Sequence, residues 1–127
     1  MKNFKILIVD DEKELREGIK TFFEIEDFTC LTAKNGEDAL SLLENEDVHL
    51  VLSDIRMPKC TGIDLLKRIK EKDKFLPEVI LMTGFAEVTK EEALGLGASE
   101  LLLKPLDMRD LIGRISNTYA PKLGVAP

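Results

Sequence analysis

The stretch Leu50-Val51-Leu52-Ser53-Asp54-Ile55-Arg56-Met57-Pro58 decides the fold. Its apolar run is short, ends in a carboxylate and is then stopped by a proline. That is the pattern of a fully buried strand in a parallel sheet, with Asp54 delivered at its carboxyl end. Open α/β sheets bind their ligands at that end of the strands. The run Ile6-Leu7-Ile8-Val9-Asp10-Asp11 repeats the construction and finishes in two adjacent acids. If the two strands are neighbours, Asp10, Asp11 and Asp54 converge, and mutual repulsion raises their pKa values unless a cation stands among them.

Outward from these two runs, apolar segments alternate with helical patterns. Leu15, Ile19, Phe22 and Phe23 recur at helical spacing and predict one apolar face on a helix over about residues 12–26, closed by Asp27. Thr29-Cys30-Leu31-Thr32-Ala33 is rich in threonine and less uniformly apolar, which suits an edge strand. Asn35-Gly36 leads into a helix carrying Ala39, Leu40 and Leu43. After the organising strand, Thr61 stands three residues before Asp64 as an N-cap, and Gly62, Leu65, Leu66 and Ile69 form the buried stripe of the next helix. The lysines and arginine around that stripe read as a solvated face.

Val79-Ile80-Leu81-Met82 is a fourth strand that delivers Thr83, and a short helical segment through Glu91-Glu92-Ala93-Leu94 is closed by Gly97 in the left-handed conformation. Leu101-Leu102-Leu103 is a fifth strand, ending in Lys104-Pro105. The Lys104-Pro105 peptide is open to either isomer on sequence grounds, since X-Pro bonds adopt cis at low cost. Asp107 caps a last helix whose Leu111, Ile112 and Ile115 face inward. From residue 120 to 127 the chain loses its periodicity and reads as a disordered terminus or the start of a linker.

Bulk properties narrow the classes. With 127 residues and 44% hydrophobic content, the chain fits one domain with a single core. The balance of 24 Asp+Glu against 18 Lys+Arg argues against direct contact with nucleic acid. No apolar stretch approaches the ~18 residues of a membrane span, so a soluble, cytoplasmic protein is expected. Cys30 and Cys60 lack metal-ligand spacing and read as reduced thiols.

Five strands alternating with five helical segments predict a doubly wound parallel sheet, with helices on both faces. Asp10, Asp11, Asp54, Thr83 and Lys104 then all fall on one rim. Each has a bland explanation alone: helix-start acids, a turn residue, a helix cap, an exposed strand-end lysine. Together they are the parts needed to hold a divalent cation such as Mg²⁺ and a phosphoryl group: carboxylates for the metal, hydroxyl and ammonium for the oxyanion. Asp54 is the nucleophile in that arrangement, forming an acyl phosphate.

These residues resemble the receiver domains of two-component response regulators, the chemotaxis-regulator fold, over about residues 4–119. The resemblance rests on an ordered set: Asp10-Asp11, Asp54 followed by Met57-Pro58 and Gly62, Thr83, Gly97-Ala98, and Lys104-Pro105. It implies a flavodoxin-like five-stranded sheet of order 2-1-3-4-5 and phosphorylation of Asp54 by a sensor histidine kinase or histidine phosphotransfer protein. It further implies Mg²⁺ held by Asp10, Asp11, Asp54 and the backbone carbonyl of Arg56, with Thr83 and Lys104 on the phosphoryl oxygens. Thr83 and residue 101 would form the switch that reaches a downstream output protein or an output domain outside this sequence. Homodimerisation on phosphorylation is compatible with the resemblance, and no contact with nucleic acid or membrane is implied for the domain itself. It implies a phosphoacceptor that catalyses only its own phosphoryl transfer and dephosphorylation.

Competing classes fare worse. A dinucleotide-binding enzyme needs glycines where Asp10-Asp11-Glu12-Lys13 stands, and a dehalogenase-type phosphatase wants a second acid where Arg56 stands. A receiver that no longer takes phosphate is the third alternative, and phosphorylation by a small-molecule donor separates it. Two departures from the resembling family bear on output: the Thr83 to Gly97 span is one residue shorter, and Leu101 replaces the usual Tyr or Phe.

Overall fold

The computed structural model describes residues 3–85 and 88–125. Strands β1 (Lys5–Val9), β2 (Thr29–Ala33), β3 (Leu50–Asp54), β4 (Glu78–Thr83) and β5 (Glu100–Leu103) alternate with helices α1 (Lys13–Ile25), α2 (Gly36–Asn45), α3 (Gly62–Lys72), α4 (Lys90–Gly95) and α5 (Met108–Arg114). All neighbouring strands are parallel, in the order β2-β1-β3-β4-β5. The doubly wound parallel sheet expected from the sequence and the flavodoxin-like strand order implied by the resemblance are therefore those observed.

The sheet's two-residue period sorts the core into two layers. Leu7, Val9, Val51, Val79 and Leu81 point to one face and pack with Leu65, Leu66 and Ile69 of α3, Ala39 of α2 and Ala93 of α4. Ile6, Ile8, Leu50, Leu52, Ile80 and Met82 point to the other, where Ile19 and Phe23 of α1 and Leu111 of α5 cover them. Every residue of β3 is buried, as its unbroken apolar run requires, whereas edge strand β2 keeps its first residue exposed and buries only its last.

Helix starts follow their capping residues. Asn35, Thr61, Thr89 and Asp107 each accept the backbone N–H three residues on, and Thr61 with Asp64 and Thr89 with Glu92 complete reciprocal capping boxes. Asp27 closes α1 at φ 65°, and Gly97 follows α4 at φ 107°. Two peptides are cis, Lys104-Pro105 and Leu76-Pro77. Of the shortened span after Thr83, residues 86 and 87 lie outside the described residues. Cys30 and Cys60 are free, and burial pushes the Cys30 thiol up to about 12.

Two expectations fail. On α1 only Ile19 and Phe23 are buried, whereas Phe22 is 55% exposed and Leu15 37%. A helix this flat against a sheet buries one i, i+4 pair, and Phe22, one step of about 100° from Phe23, is carried to the flank. The second failure is at the carboxyl end, where residues 120–125 are neither linker-like nor loose. After Arg114 the helix widens into a π segment (Ile115–Tyr119) and finishes in one α turn (Ala120–Lys122). Ile115, Tyr119 and Ala120 are buried, Leu123 and Val125 pack on the α1/α5 layer, and the Val125 N–H donates to the Ala120 carbonyl at 2.8 Å. Leu111, Ile115, Tyr119 and Leu123 keep one face through the π segment, but Pro121 and Gly124 read as helix breakers and hide the continuation in the sequence. Pro121 fits because the first turn of a helix segment needs no amide from it.

Polar ties anchor this end. The Tyr119 hydroxyl donates to Glu100 at 2.5 Å, and Arg114 pairs with the same carboxylate. Buried Glu78 accepts from Ser99 Oγ at 2.5 Å and from Lys122 Nζ at 2.6 Å. Burial alone would push the Glu78 carboxyl up, but the Lys122 and Ser99 hydrogen bonds outweigh it and hold the group below its ordinary range.

Candidate functional site

The acids reach one point because β1 and β3 are adjacent and in register. Val9 lies beside Ser53, so Asp10 and Asp54 leave neighbouring strands at the same level. Asp10 is fully buried and Asp54 nearly so, at 0% and 6% exposure, while Asp11 is exposed. One carboxylate oxygen from each of Asp10, Asp11 and Asp54 lies within 4.8 Å of the other two. The strand exit after Asp54 is pressed against the start of α3: a Cβ on Gly62 would stand 2.2 Å from the Asp54 carbonyl oxygen. No residue but glycine fits there without moving the backbone that aims Asp54.

Lys104, at the end of β5, crosses to this cluster from β4's far side. Its Nζ donates to Asp10 Oδ2 and Asp54 Oδ2, each at 3.1 Å. Its backbone is fixed by an N–H donated to the Thr83 carbonyl at 2.8 Å. Asp10 is further held by the Glu12 N–H on its Oδ1 at 2.9 Å, and Arg16 donates to its backbone carbonyl at 2.8 Å. Neither Glu12 nor Arg16 was singled out from sequence, since each reads as an ordinary polar residue on the first helical turns.

The electrostatics follow from burial and charge count. Burial pushes the Asp54 carboxyl above its ordinary range; the Lys104 hydrogen bond opposes this and the charge of Asp10 adds to it. Burial would lower the Lys104 ammonium, but its bonds to Asp54 and Asp10 outweigh that and hold its pKa above the usual value. One ammonium therefore bonds two of the three clustered acids, Asp10 and Asp54. Closely spaced carboxylates with residual negative charge are a donor set for a hard cation bound through oxygen. Beside them an open groove of about 540 Å³ is lined by Asp11, Arg56, Met57, Pro58, Thr61 and Val88, among others.

The remaining sequence-predicted residues are placed less directly. Thr83 is buried at the same rim, but its hydroxyl serves its own loop, donating to the Phe85 carbonyl at 2.9 Å and accepting the Phe85 N–H at 3.0 Å. Arg56 has an exposed side chain whose guanidinium carbon lies 4.1 Å from the centroid of the Phe85 ring. Leu101 is half-buried and packs on the α2–α4 layer. Asp10, Asp11, Asp54 and Lys104 are thus brought together, with Thr83 and Leu101 nearby but not bonded into the cluster.

The family profile described as the response regulator receiver domain matches residues 6–116. The chain belongs to that family. This receiver domain is 40% identical over 111 residues to the transcriptional regulatory protein CpxR of Escherichia coli strain K12, covering 87% of this chain and 47% of that protein. To the response regulator SaeR of Staphylococcus aureus strain USA300 it is 37% identical over 112 residues, 88% of this chain and 49% of that one. The chain spans about half the length of these relatives. Among solved structures, the receiver domain of the Francisella response regulator 1452 superposes with a TM-score of 0.84 at 33% identity, covering 94% of this chain and 99% of that one. The Thermotoga maritima response regulator TrrA, solved in complex with Mg(2+)-BeF, superposes at 0.77 with 29% identity over 88% and 96% of the two chains.

Proposed function

We propose that Asp54 is the phosphoacceptor of this receiver domain and that Asp10, Asp11, Asp54 and the backbone carbonyl of Arg56 hold the Mg²⁺ its phosphorylation requires. The observation that carries the reading is the Lys104 ammonium bridging Asp10 and Asp54 at 3.1 Å inside a cluster of acids it does not fully neutralise. A carboxylate made more basic by burial is the better nucleophile, and burial raises the pKa of Asp54.

In the step proposed, an Asp54 carboxylate oxygen attacks the phosphorus of a phosphohistidine on a sensor histidine kinase or histidine phosphotransfer protein. The new O–P bond makes an acyl phosphate, the N–P bond breaks, and its electron pair returns to the donor imidazole. Bound Mg²⁺ supplies charge neutralisation at the transferred oxygens. Lys104 transfers its hydrogen bond from the Asp54 carboxylate to a phosphoryl oxygen, and the Thr83 hydroxyl turns to another. Hydrolysis of the acyl phosphate returns the domain to rest, so its catalysis concerns only its own phosphorylation.

The reading extends to the neighbourhood. The receiver unit spans residues 4–119, and the described residues 120–125 continue it by packing Ala120, Leu123 and Val125 on the α1/α5 layer. Thr83 and Leu101 act as the switch toward an output protein or an attached output domain, with homodimerisation on phosphorylation a compatible outcome. Among the described residues no helix is long and apolar enough to cross a membrane, which is consistent with action in the cytoplasm, and the acidic surface speaks against nucleic acid contact by this domain itself.

Incubation with acetyl phosphate and Mg²⁺ should add one acid- and base-labile phosphoryl group to the wild type and none to Asp54→Asn, read by intact mass. Equal labelling of both proteins would remove Asp54 from the role.

A further inference from the structure

Phe85 holds two residues of the rim at once. Its backbone brackets the Thr83 hydroxyl, accepting from it at 2.9 Å and donating to it at 3.0 Å. Its ring, 54% exposed, lies under the Arg56 guanidinium at 4.1 Å. Thr83 belongs to β4 and Arg56 follows β3, so one residue on the β4 exit, through its backbone and its ring, ties the end of β4 to the loop leaving the adjacent strand β3. The Arg56 guanidinium stands over the face of this half-exposed ring, where the negative quadrupole attracts a cation.

We propose that the Arg56–Phe85 stack is a resting-state latch that positions Phe85 so that its backbone keeps the Thr83 hydroxyl bonded within its own loop. The proposal rests on the phosphoacceptor reading of Asp54 and adds a positioning residue to it. The Thr83 hydroxyl has one proton, and while that proton is donated to the Phe85 carbonyl it is not available to a phosphoryl oxygen on Asp54. The ring contact holds residue 85 in the place where those bonds form, so the stack and the Thr83 bonds are made and lost together. Whatever free energy the stack contributes therefore belongs to the resting conformer, and binding of a phosphoryl group or its mimic must overcome it. Removing the ring while keeping the backbone tilts the domain toward the conformer that binds the phosphoryl group. An exposed cation–π contact is worth enough to change that affinity by about two- to five-fold.

The test compares wild type, Phe85→Leu and Phe85→Tyr at saturating Mg²⁺. Beryllofluoride affinity is read by titration followed by NMR, and exchange of the Phe85 amide proton is read in the unliganded proteins. Phe85→Leu should bind beryllofluoride about two- to five-fold more tightly and exchange its residue-85 amide faster, while Phe85→Tyr, which keeps a π face, should match the wild type in both. In a double-mutant cycle with Arg56→Gln the two gains should overlap. Unchanged amide exchange in Phe85→Leu, weaker or unchanged beryllofluoride binding by it, or full additivity with Arg56→Gln would each overturn the latch. Failure of the wild type to bind beryllofluoride at all would instead sink the phosphoacceptor reading, and the amide-exchange arm would still decide whether ring and hydroxyl are coupled.

Discussion

The two ends of the sheet use the same side chains in opposite ways. At the carboxyl end, Asp10 and Asp54 share one ammonium, Lys104, with Asp11 clustered beside them, and burial leaves the Asp54 carboxyl above its ordinary range. Toward the amino ends of β4 and β5, Glu78 has Lys122 and Ser99, Glu100 has Arg114 and Tyr119, and the Glu78 carboxyl is held below its ordinary range. Burial of an acid is common to both. What differs is the supply of donors: two for each acid at the end that fastens the last helix, one ammonium between Asp10 and Asp54 at the rim proposed to take a cation and a phosphoryl group. A site ready to bind charge is one whose own charges are left unbalanced in its absence.

The sharpest way to break this contrast is to remove the ammonium that bridges the acids, Lys104. Lys104→Met leaves Asp10 and Asp54 buried without a counter-charge, and breaking a buried pair this way typically costs about 3–5 kcal/mol. Urea denaturation at neutral pH in the presence of a chelator should show that loss, and added Mg²⁺ should recover part of it by binding the folded state. A variant as stable as the wild type under chelator would mean that Lys104 does not hold the cluster together.

The pH dependences of the two ends sharpen the comparison, because their signs are opposed. The folded pKa of Asp54 is raised, so its ionised form costs stability above that value, and the cost fades as pH falls through it. The folded pKa of Glu78 is depressed, so its contribution is full above the unfolded value and disappears as pH falls through the folded one. At neutral pH without divalent cations, Glu78→Gln should therefore lose stability and Asp54→Asn should gain it, with both differences closing on acidification. The Glu78→Gln loss should be about 1.5 kcal/mol, at the low end for bonds to a charged group, because Lys122 is mostly exposed and water screens its share. Parallel rather than opposed pH profiles in thermal melts would erase the distinction between the ends.

The smallest effect is expected at Tyr119. Tyr119→Phe removes one hydroxyl from Glu100 but leaves Arg114 on the carboxylate and the ring in the core, so about 1 kcal/mol should be lost. Amide exchange along residues 115–122 should rise with little change at the acid rim. Equal acceleration at both ends would indicate that they unfold as one unit.

Much was legible before the structure. β3 could be read because a strand buried on both faces must be apolar throughout, and an acid at its end has few places to go other than the rim. The caps at Thr61 and Asp107 were legible because a side-chain oxygen three residues ahead of an unpaired amide is a local signal. Four of the five expected rim residues, Asp10, Asp11, Asp54 and Lys104, come together in the fold. The outward turn of Phe22 was not legible, because hydrophobicity alone does not say how wide a stripe the sheet can cover. The packed carboxyl end was hidden by Pro121 and Gly124, which read locally as the end of a helix although the chain packs on through them.

The sequence by itself determined the alternation of strands and helices, the side of the sheet that carries the acids, and the family that this order of residues resembles. These are properties of nearest neighbours and of period, written along the chain. Only the tertiary structure decided that Lys104 bridges two acids 94 and 50 positions away, that Glu78 and Glu100 are matched by the last helical turns, and that Phe85 joins Thr83 to Arg56. Those contacts depend on strand order and register, which bring distant residues within hydrogen-bonding range, and no local pattern of residue types carries that distance.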